Sequence, residues 1–249
     1  MTISYLTVFR TLMRKLNHNS LVLYGAAFVF VLACIAVWLP HEINAQIHPR
    51  SISDLLVVEN TPAFSTIFIS DEETGTIFYY QLSDNHVERV NLSDFQVYYQ
   101  SNNFKHPSGL AYLNGNLIVS DKKSNVVYEI IRGDKLTERI LFAKPEGSEF
   151  DSPSVIAVTT NGNIAIAEKV PNRISYLTMS APDGGKLKTV AKGIDDPRRI
   201  LPIEQNLFIL TKDDKTIYKV SNLSAEPPEK PTSVEMLTKL EEVKDFAFS

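Results

Sequence analysis

Apolar positions are distributed along this chain in two contrasting ways. Between Ser20 and Leu39 they form one unbroken run, SLVLYGAAFVFVLACIAVWL, with no charged side chain. From Leu55 onward they come in short β-branched and aromatic runs, bounded by turn-forming Asn, Gly, Asp, Ser and Pro. The first pattern predicts a membrane-spanning helix, because a run of that length at about 1.5 Å per residue covers roughly 30 Å, the bilayer's hydrocarbon core. The second predicts strands separated by tight turns.

The apolar run has two other readings. A buried helix of a soluble protein would normally show a polar face. A cleaved signal peptide has an apolar region of about 7–15 residues before a small-x-small cleavage site. Here the run is longer, and Pro40-His41-Glu42-Ile43-Asn44-Ala45 follows it. Tyr24 and Trp38 stand near its ends, where amphipathic rings favour the membrane interface. An uncleaved signal anchor is therefore expected. Arg10, Arg14 and Lys15 precede the span without any acid, which keeps that end cytoplasmic. The expected organisation is a basic cytoplasmic stub over residues 1–19, a transmembrane helix over 20–39, a linker over 40–54 and a domain over 55–249. That domain would be extracytoplasmic, periplasmic in a bacterium or luminal to extracellular in a eukaryote.

Within the domain the strand-like runs repeat. LNGNLIVSD (113–121), TNGNIAIAE (160–168) and EQNLFILTK (204–212) align, and STIFISD (65–71) is a shorter copy. Their terminal positions 71, 121, 168 and 212 define a period of between forty and fifty residues. Proline motifs lie upstream in the same register, at His106-Pro107, Ser152-Pro153 and Asp196-Pro197. Apolar runs follow downstream from Gly75, Asn125, Asn172 and Lys215. Asn114-Gly115 and Asn161-Gly162 suit two-residue hairpin turns. In the second repeat the strands are expected at about 109–112, 117–121, 126–131 and 136–142. Four short strands per repeat, without helical periodicity between them, predict an all-β chain folded as a β-propeller of four-stranded antiparallel blades. A β-sandwich also has many short strands but does not explain a fixed period.

These motifs resemble NHL-type repeats and the related regucalcin/gluconolactonase-like six-bladed propellers, over roughly residues 55–249. The resemblance speaks to fold more than to function, since such repeats mainly encode blade geometry. Ser70-Asp71 and Ser120-Asp121 are expected to bond to backbone within the blade. Four complete repeats run from about Pro62 to Thr238. Leu55–Glu59 resembles the fourth, outer strand of a preceding blade, and Val243–Phe248 resembles a first, inner strand. About four and a half blades are then present. The chain stops at Phe248-Ser249 in the middle of a repeat, as a piece of a longer propeller would, and an unpaired edge is expected on the blade formed by 197–238.

Composition adds bounds. The chain has 249 residues, 44% of them hydrophobic, and a formal charge of −4. Without the +3 of the stub, residues 40–249 carry −7, so the exported domain is acidic and offers no basic footprint for nucleic acid. The one cysteine, Cys34, lies inside the apolar run, so no disulfide can form within the domain. Two sequons, Asn91-Leu92-Ser93 and Asn222-Leu223-Ser224, could carry glycans in a eukaryotic host.

No HExxH, CxxC, Gly-x-Ser-x-Gly, phosphate-loop or dinucleotide motif occurs. The resemblance implies one specific chemistry, a divalent cation such as Ca²⁺ held in the central channel by oxygen ligands from several blades. The residues after the repeat prolines are Ser108, Ser154 and Arg198, without the family's asparagine, so no catalytic, cofactor or metal residue is carried over. Asp71-Glu72-Glu73 and Asp213-Asp214 read as solvated turns. The expected function is a non-enzymatic binding or scaffold module for a protein, peptide or small molecule, with the membrane as partner through Ser20–Leu39. Its candidate contact residues are His106, Ser108, Ser154, Arg198 and Arg199. The alternative is a metal-dependent lactonase or esterase of the regucalcin/gluconolactonase class.

Overall fold

The computed structural model describes residues 48–61, 64–83, 90–179, 185–212, 216–221, 223 and 234–239. The expected anchor at Ser20–Leu39 and the first-strand match at Val243–Phe248 lie outside them. No helix among the described residues is long and apolar enough to cross a membrane.

Among the described residues, sixteen strands form four antiparallel sheets, each built from four strands adjacent in sequence. Blade one comprises β1 Ile52–Thr61, β2 Phe64–Asp71, β3 Thr76–Ser83 and β4 Gln96–Gln100. Blade two comprises β5 Pro107–Leu113, β6 Asn116–Asp121, β7 Val126–Ile131 and β8 Thr137–Ala143. Blade three holds β9 Pro153–Val158, β10 Ile164–Glu168, β11 Arg173–Thr178 and β12 Lys186–Lys192. Blade four holds β13 Pro197–Ile203, β14 Asn206–Thr211, β15 Thr216–Val220 and β16 Val234–Lys239. First strands pack on one another in order, β1 on β5, β5 on β9 and β9 on β13. That succession makes the first strands the inner ones of a propeller arrangement.

Two readings of the sequence are corrected here. Leu55–Glu59 does not close a preceding blade. It lies within β1, which pairs antiparallel with β2 through Leu55 opposite Ile69 and Val57 opposite Ile67. The described residues therefore hold four full blades rather than four and a half. Blade four is four-stranded, with β13 and β16 at its two edges like the first and last strands of every other blade. The repeat position in blade four is Thr211, not Lys212. Pro197 pairs with Thr211 as Pro107 pairs with Asp121 and Pro153 with Glu168.

The middle strands of blades two and three read as unbroken apolar runs because neighbouring blades cover both of their faces. Leu117 and Val119 of β6 join Phe68, Ile77 and Leu110 between blades one and two. Ile118, between them in sequence, points the other way and joins Ile156, Ile164 and Leu177 between blades two and three. A third layer, with Ile174, Tyr176, Ile200 and Ile209, lies between blades three and four. Burying each such aliphatic side chain contributes about 1.5–3 kcal/mol, so the interblade layers are the main cohesive element.

Turn chemistry sets the repeat. Gly75, Asn125 and Asn172 occupy the left-handed region at φ 64°, 57° and 59°, each just before a third strand. Glycine and asparagine adopt this conformation at least cost. Asn114-Gly115 forms the expected two-residue turn, with φ 51° and 87°. Asn161-Gly162 does not. There Gly162 N–H donates to Thr159 O at 2.9 Å and Thr159 N–H to Asn163 O at 2.8 Å, giving a longer loop with only Gly162 left-handed. Thr160 adds one residue to the connection and changes the turn class.

Candidate functional site

At the end of each second strand stands a polar side chain, and in blades one and two it latches two backbone segments together. Asp121 Oδ2 accepts the backbone N–H groups of Lys105 at 2.6 Å and His106 at 2.9 Å. Its Oδ1 accepts those of Lys123 at 3.1 Å and Ser124 at 2.8 Å. Asp71 repeats the pattern with Arg50, Ser51, Glu73 and Thr74. The carboxylate thus ties the segment entering the first strand to the turn after the second. Burial pushes the Asp71 carboxyl up, but its four backbone N–H donors outweigh that and hold it below the usual aspartate range. Asp71 is fully buried, which corrects its reading as part of a solvated turn. Its neighbour Glu72 instead ion-pairs with Lys122 of blade two. Asp213-Asp214 lies outside the described residues.

Blades three and four vary the latch. Glu168 Oε2 accepts Asp151 N–H at 3.0 Å, and Arg173 meets both carboxylate oxygens, Nε to Oε1 at 2.9 Å and Nη2 to Oε2 at 2.8 Å. Both side chains of that pair are buried. In blade four, Thr211 Oγ1 donates to Thr216 O at 3.1 Å and accepts Thr216 N–H at 3.2 Å. Glu168 thus reaches the entering segment by one backbone bond and the following strand through Arg173, whereas these Thr211 bonds close the turn alone.

The expected contact residues lie along the inner strands and the segments leading into them. Ser108 is buried, and its single hydroxyl hydrogen is shared between Pro153 O at 3.1 Å and Ser120 O at 3.3 Å. Ser154 donates to Ala167 O at 3.2 Å. His106 binds the Asp121 latch through its backbone, Arg198 is exposed, and Arg199 reaches inward to Asp54. Asp54 was not singled out from sequence. Its Oδ2 accepts Leu110 N–H at 2.8 Å and its Oδ1 lies 3.7 Å from Arg199 Nη1. The inner-strand donor set does not fit a divalent cation: the Asp54 carboxylate faces a guanidinium, and the serine hydroxyls bond to carbonyls. No group of three or more metal-ligating His, Cys, Asp or Glu side chains occurs among the described residues. Asn91 is exposed beside the short 3-10 turn Leu92–Asp94, and Asn222 lies outside the described residues.

A cleft of about 1000 Å³ opens on blade one, where sequence reading placed nothing. Its origin is strand length. β2 and β3 have 8 residues each, against 6 in β6 and β7 of blade two. Aligned at their latched ends, blade one overshoots blade two by about 7 Å, at some 3.3 Å per residue. Glu59 and Phe64 stand on this uncovered part, Phe64 is 54% exposed, and Gln81 borders it opposite Thr66. Phe68, Tyr79, Tyr98 and Tyr112 line the floor. The turn after β7 supplies Arg132 and Asp134 at the rim.

A bulge aims Tyr98 into this cleft. Phe78 pairs with Val97 but Ile77 pairs with Tyr99, leaving Tyr98 as the extra residue, and both Val97 and Tyr98 line the cavity. The same shift recurs in β8, β12 and β16, where the extra residues are Leu141, Val190 and Leu237. Only blade one carries an aromatic there. Phe68 and Tyr98 pack edge to face at 4.9 Å, and Tyr79 meets Tyr98 the same way at 5.8 Å. Burial pushes the Tyr98 hydroxyl up, against the opposing pull of Arg132.

No protein-family model and no curated protein matches this chain. Solved structures do. Virginiamycin B lyase from Staphylococcus aureus superposes with a TM-score of 0.52 at 15% identity, covering 77% of this chain and 56% of its own. A streptogramin B lyase gives 0.51 at 13% identity, covering 78% of this chain and 56% of its own. A structural-genomics target assigned as a gluconolactonase gives 0.50 at 14% identity, covering 78% and 69%. The chain thus spans little more than half the length of either lyase. At these identities the likeness is one of fold, and the chain is a β-propeller resembling the gluconolactonase-like and streptogramin-lyase propellers.

Proposed function

We propose that this chain is a binding module, an extracytoplasmic β-propeller held at a membrane by Ser20–Leu39, which takes its ligand on the aromatic cleft of blade one. The observation that carries the reading is the overshoot of β2 and β3. It exposes a preformed aromatic floor that blade two leaves open at one end, whereas buried apolar clusters occupy the layers between blades two and three and between blades three and four. Exposed apolar surface of this kind marks interaction sites. The uncharged apolar run and the three basic residues before it support the anchor and its orientation. The inner-strand donors favour binding over metal-dependent hydrolysis, because Asp54, Ser108 and Ser154 already have partners.

Two assays test this reading. The full chain in detergent is expected to add nothing to the spontaneous hydrolysis of glucono-lactone with millimolar Ca²⁺, Mg²⁺ or Zn²⁺. Acceleration over that background, abolished by chelator, would establish the lactonase alternative instead. A phosphatase reporter fused after Ser249 is expected to be active outside the cytoplasm, and activity confined to the cytoplasm would overturn the orientation.

A further inference from the structure

We infer that the blade-one cleft recognises an oligosaccharide, a proposal that rests on the cleft being the binding surface. Sugar rings present an apolar C–H face and a rim of hydroxyls. They are matched by rigid aromatic platforms edged with side chains that both donate and accept hydrogen bonds. The floor has the first property. Tyr98 is locked edge to face between Phe68 and Tyr79, and Tyr79 Oη donates to Gln96 Oε1 at 3.0 Å, so the rings need little ordering on binding. Phe68 and Tyr112 lie within 22° of parallel at 6.5 Å, extending the platform from blade one to blade two.

The rim has the second property. Among the described residues, the side chains of Glu59, Gln81, Arg132 and Asp134 form no hydrogen bond or ion pair. One guanidinium, one amide and two carboxylates of mixed sign suit a polyhydroxyl chain better than a strongly charged ligand. Shape separates a sugar from an extended peptide. Peptides that add to sheets run along a strand edge and use its free backbone groups. This cleft runs across the blade, lined from β1, β2, β3 and β4 in turn. Four strands at about 4.8 Å spacing span roughly 14 Å, room for several sugar rings in line.

The test is calorimetric titration of the full chain in detergent with cellohexaose, chitohexaose and maltohexaose, and with a proline-rich peptide. The expected result is binding of at least one hexaose, weakened tenfold or more by Tyr98→Ala and severalfold by Arg132→Ala, and unchanged by Arg198→Ala. Arg132 lies on the rim, so its variant serves if Tyr98→Ala disturbs folding. Saturation-transfer NMR is expected to place the strongest enhancements on sugar C–H protons. Peptide binding without hexaose binding, sensitive to Tyr98→Ala, overturns the sugar assignment and leaves the cleft reading intact. Hexaose binding lost in Arg198→Ala but not in Tyr98→Ala overturns both. No binding of any probe by folded protein overturns the sugar assignment.

Discussion

Asp54 and Arg199, from the inner strands of the first and last blades, lie within ion-pairing reach, Oδ1 to Nη1 at 3.7 Å. The same carboxylate accepts Leu110 N–H from blade two. One side chain therefore touches three inner strands, β1, β5 and β13. The two contacts have unequal weight. The arginine is half-exposed, and such pairs contribute at most about 1 kcal/mol, whereas an unmatched backbone N–H costs about 1–3 kcal/mol. Asp54→Ala is therefore expected to lower unfolding free energy in urea by more than Asp54→Asn, whose amide oxygen still serves Leu110. Equal losses would show that the charge, not the acceptor, matters.

The aspartate latch predicts a local loss. Asp121→Ala leaves four backbone N–H groups without their acceptor, and a destabilisation of about 2–4 kcal/mol follows, since hydrogen bonds to charged groups are worth more than neutral ones. Hydrogen exchange should speed up first at Lys105, His106, Lys123 and Ser124. Uniform acceleration across all blades would contradict a local latch.

Acid sensitivity follows from Asp71. Its carboxyl is held below the ordinary 3.8 when folded. The stabilisation is thus fully present above the unfolded value and fades as pH falls through the lower folded value. Urea titrations should show Asp71→Asn less stable than the parent at pH 6, with the gap narrowing below pH 4. A gap that widens on acidification would reverse the assigned sign.

Close packing of inner strands fixes Gly109. A methyl group there would sit 2.6 Å from Ser154 O, 2.8 Å from Ser120 Oγ and 2.9 Å from Ile156 N. Two of these are backbone atoms of blade three, so relief requires the blades to separate. Gly109→Ala should cost about 3 kcal/mol or more, beyond the usual range for overpacking, read as a fall in melting temperature. A neutral substitution would mean that blades two and three slide freely.

The buried pair of blade three gives a double-mutant test. Glu168→Gln leaves the Arg173 guanidinium, 7% exposed, with only the exposed Glu149 carboxylate at 3.1 Å as charged partner, and should cost about 3 kcal/mol. Adding Arg173→Leu should recover part of that loss. Additive losses would place the effect in packing instead.

Much of this fold is legible in the sequence because the turns that set the repeat require particular residues. Asn125, Asn172 and Gly75 mark left-handed turns, and the strands of blade two lie within two residues of their expected limits. The sequence misleads where local chemistry is ambiguous. Leu55–Glu59 has the composition of either an inner or an outer strand, and only its pairing with β2 decides. Thr211 closes its turn with a hydroxyl, and without an acid to mark the strand end the alignment of 204–212 runs one residue on, to Lys212. The cleft was hidden because it arises from a difference in strand length between neighbouring blades and from a bulge that turns Tyr98. The overlong aromatic run from Phe64 to Gln81 was the one available signal.

The most direct test of the account is cysteine protection. With Cys34→Ser as background, Val97→Cys places a thiol in the cleft and Arg198→Cys places one at the start of the inner strand β13. Maleimide labelling of each is timed with and without a saturating mixture of the three hexaoses. The account predicts at least fivefold slower labelling at position 97 and no change at 198. Protection at 198 with none at 97 would contradict it.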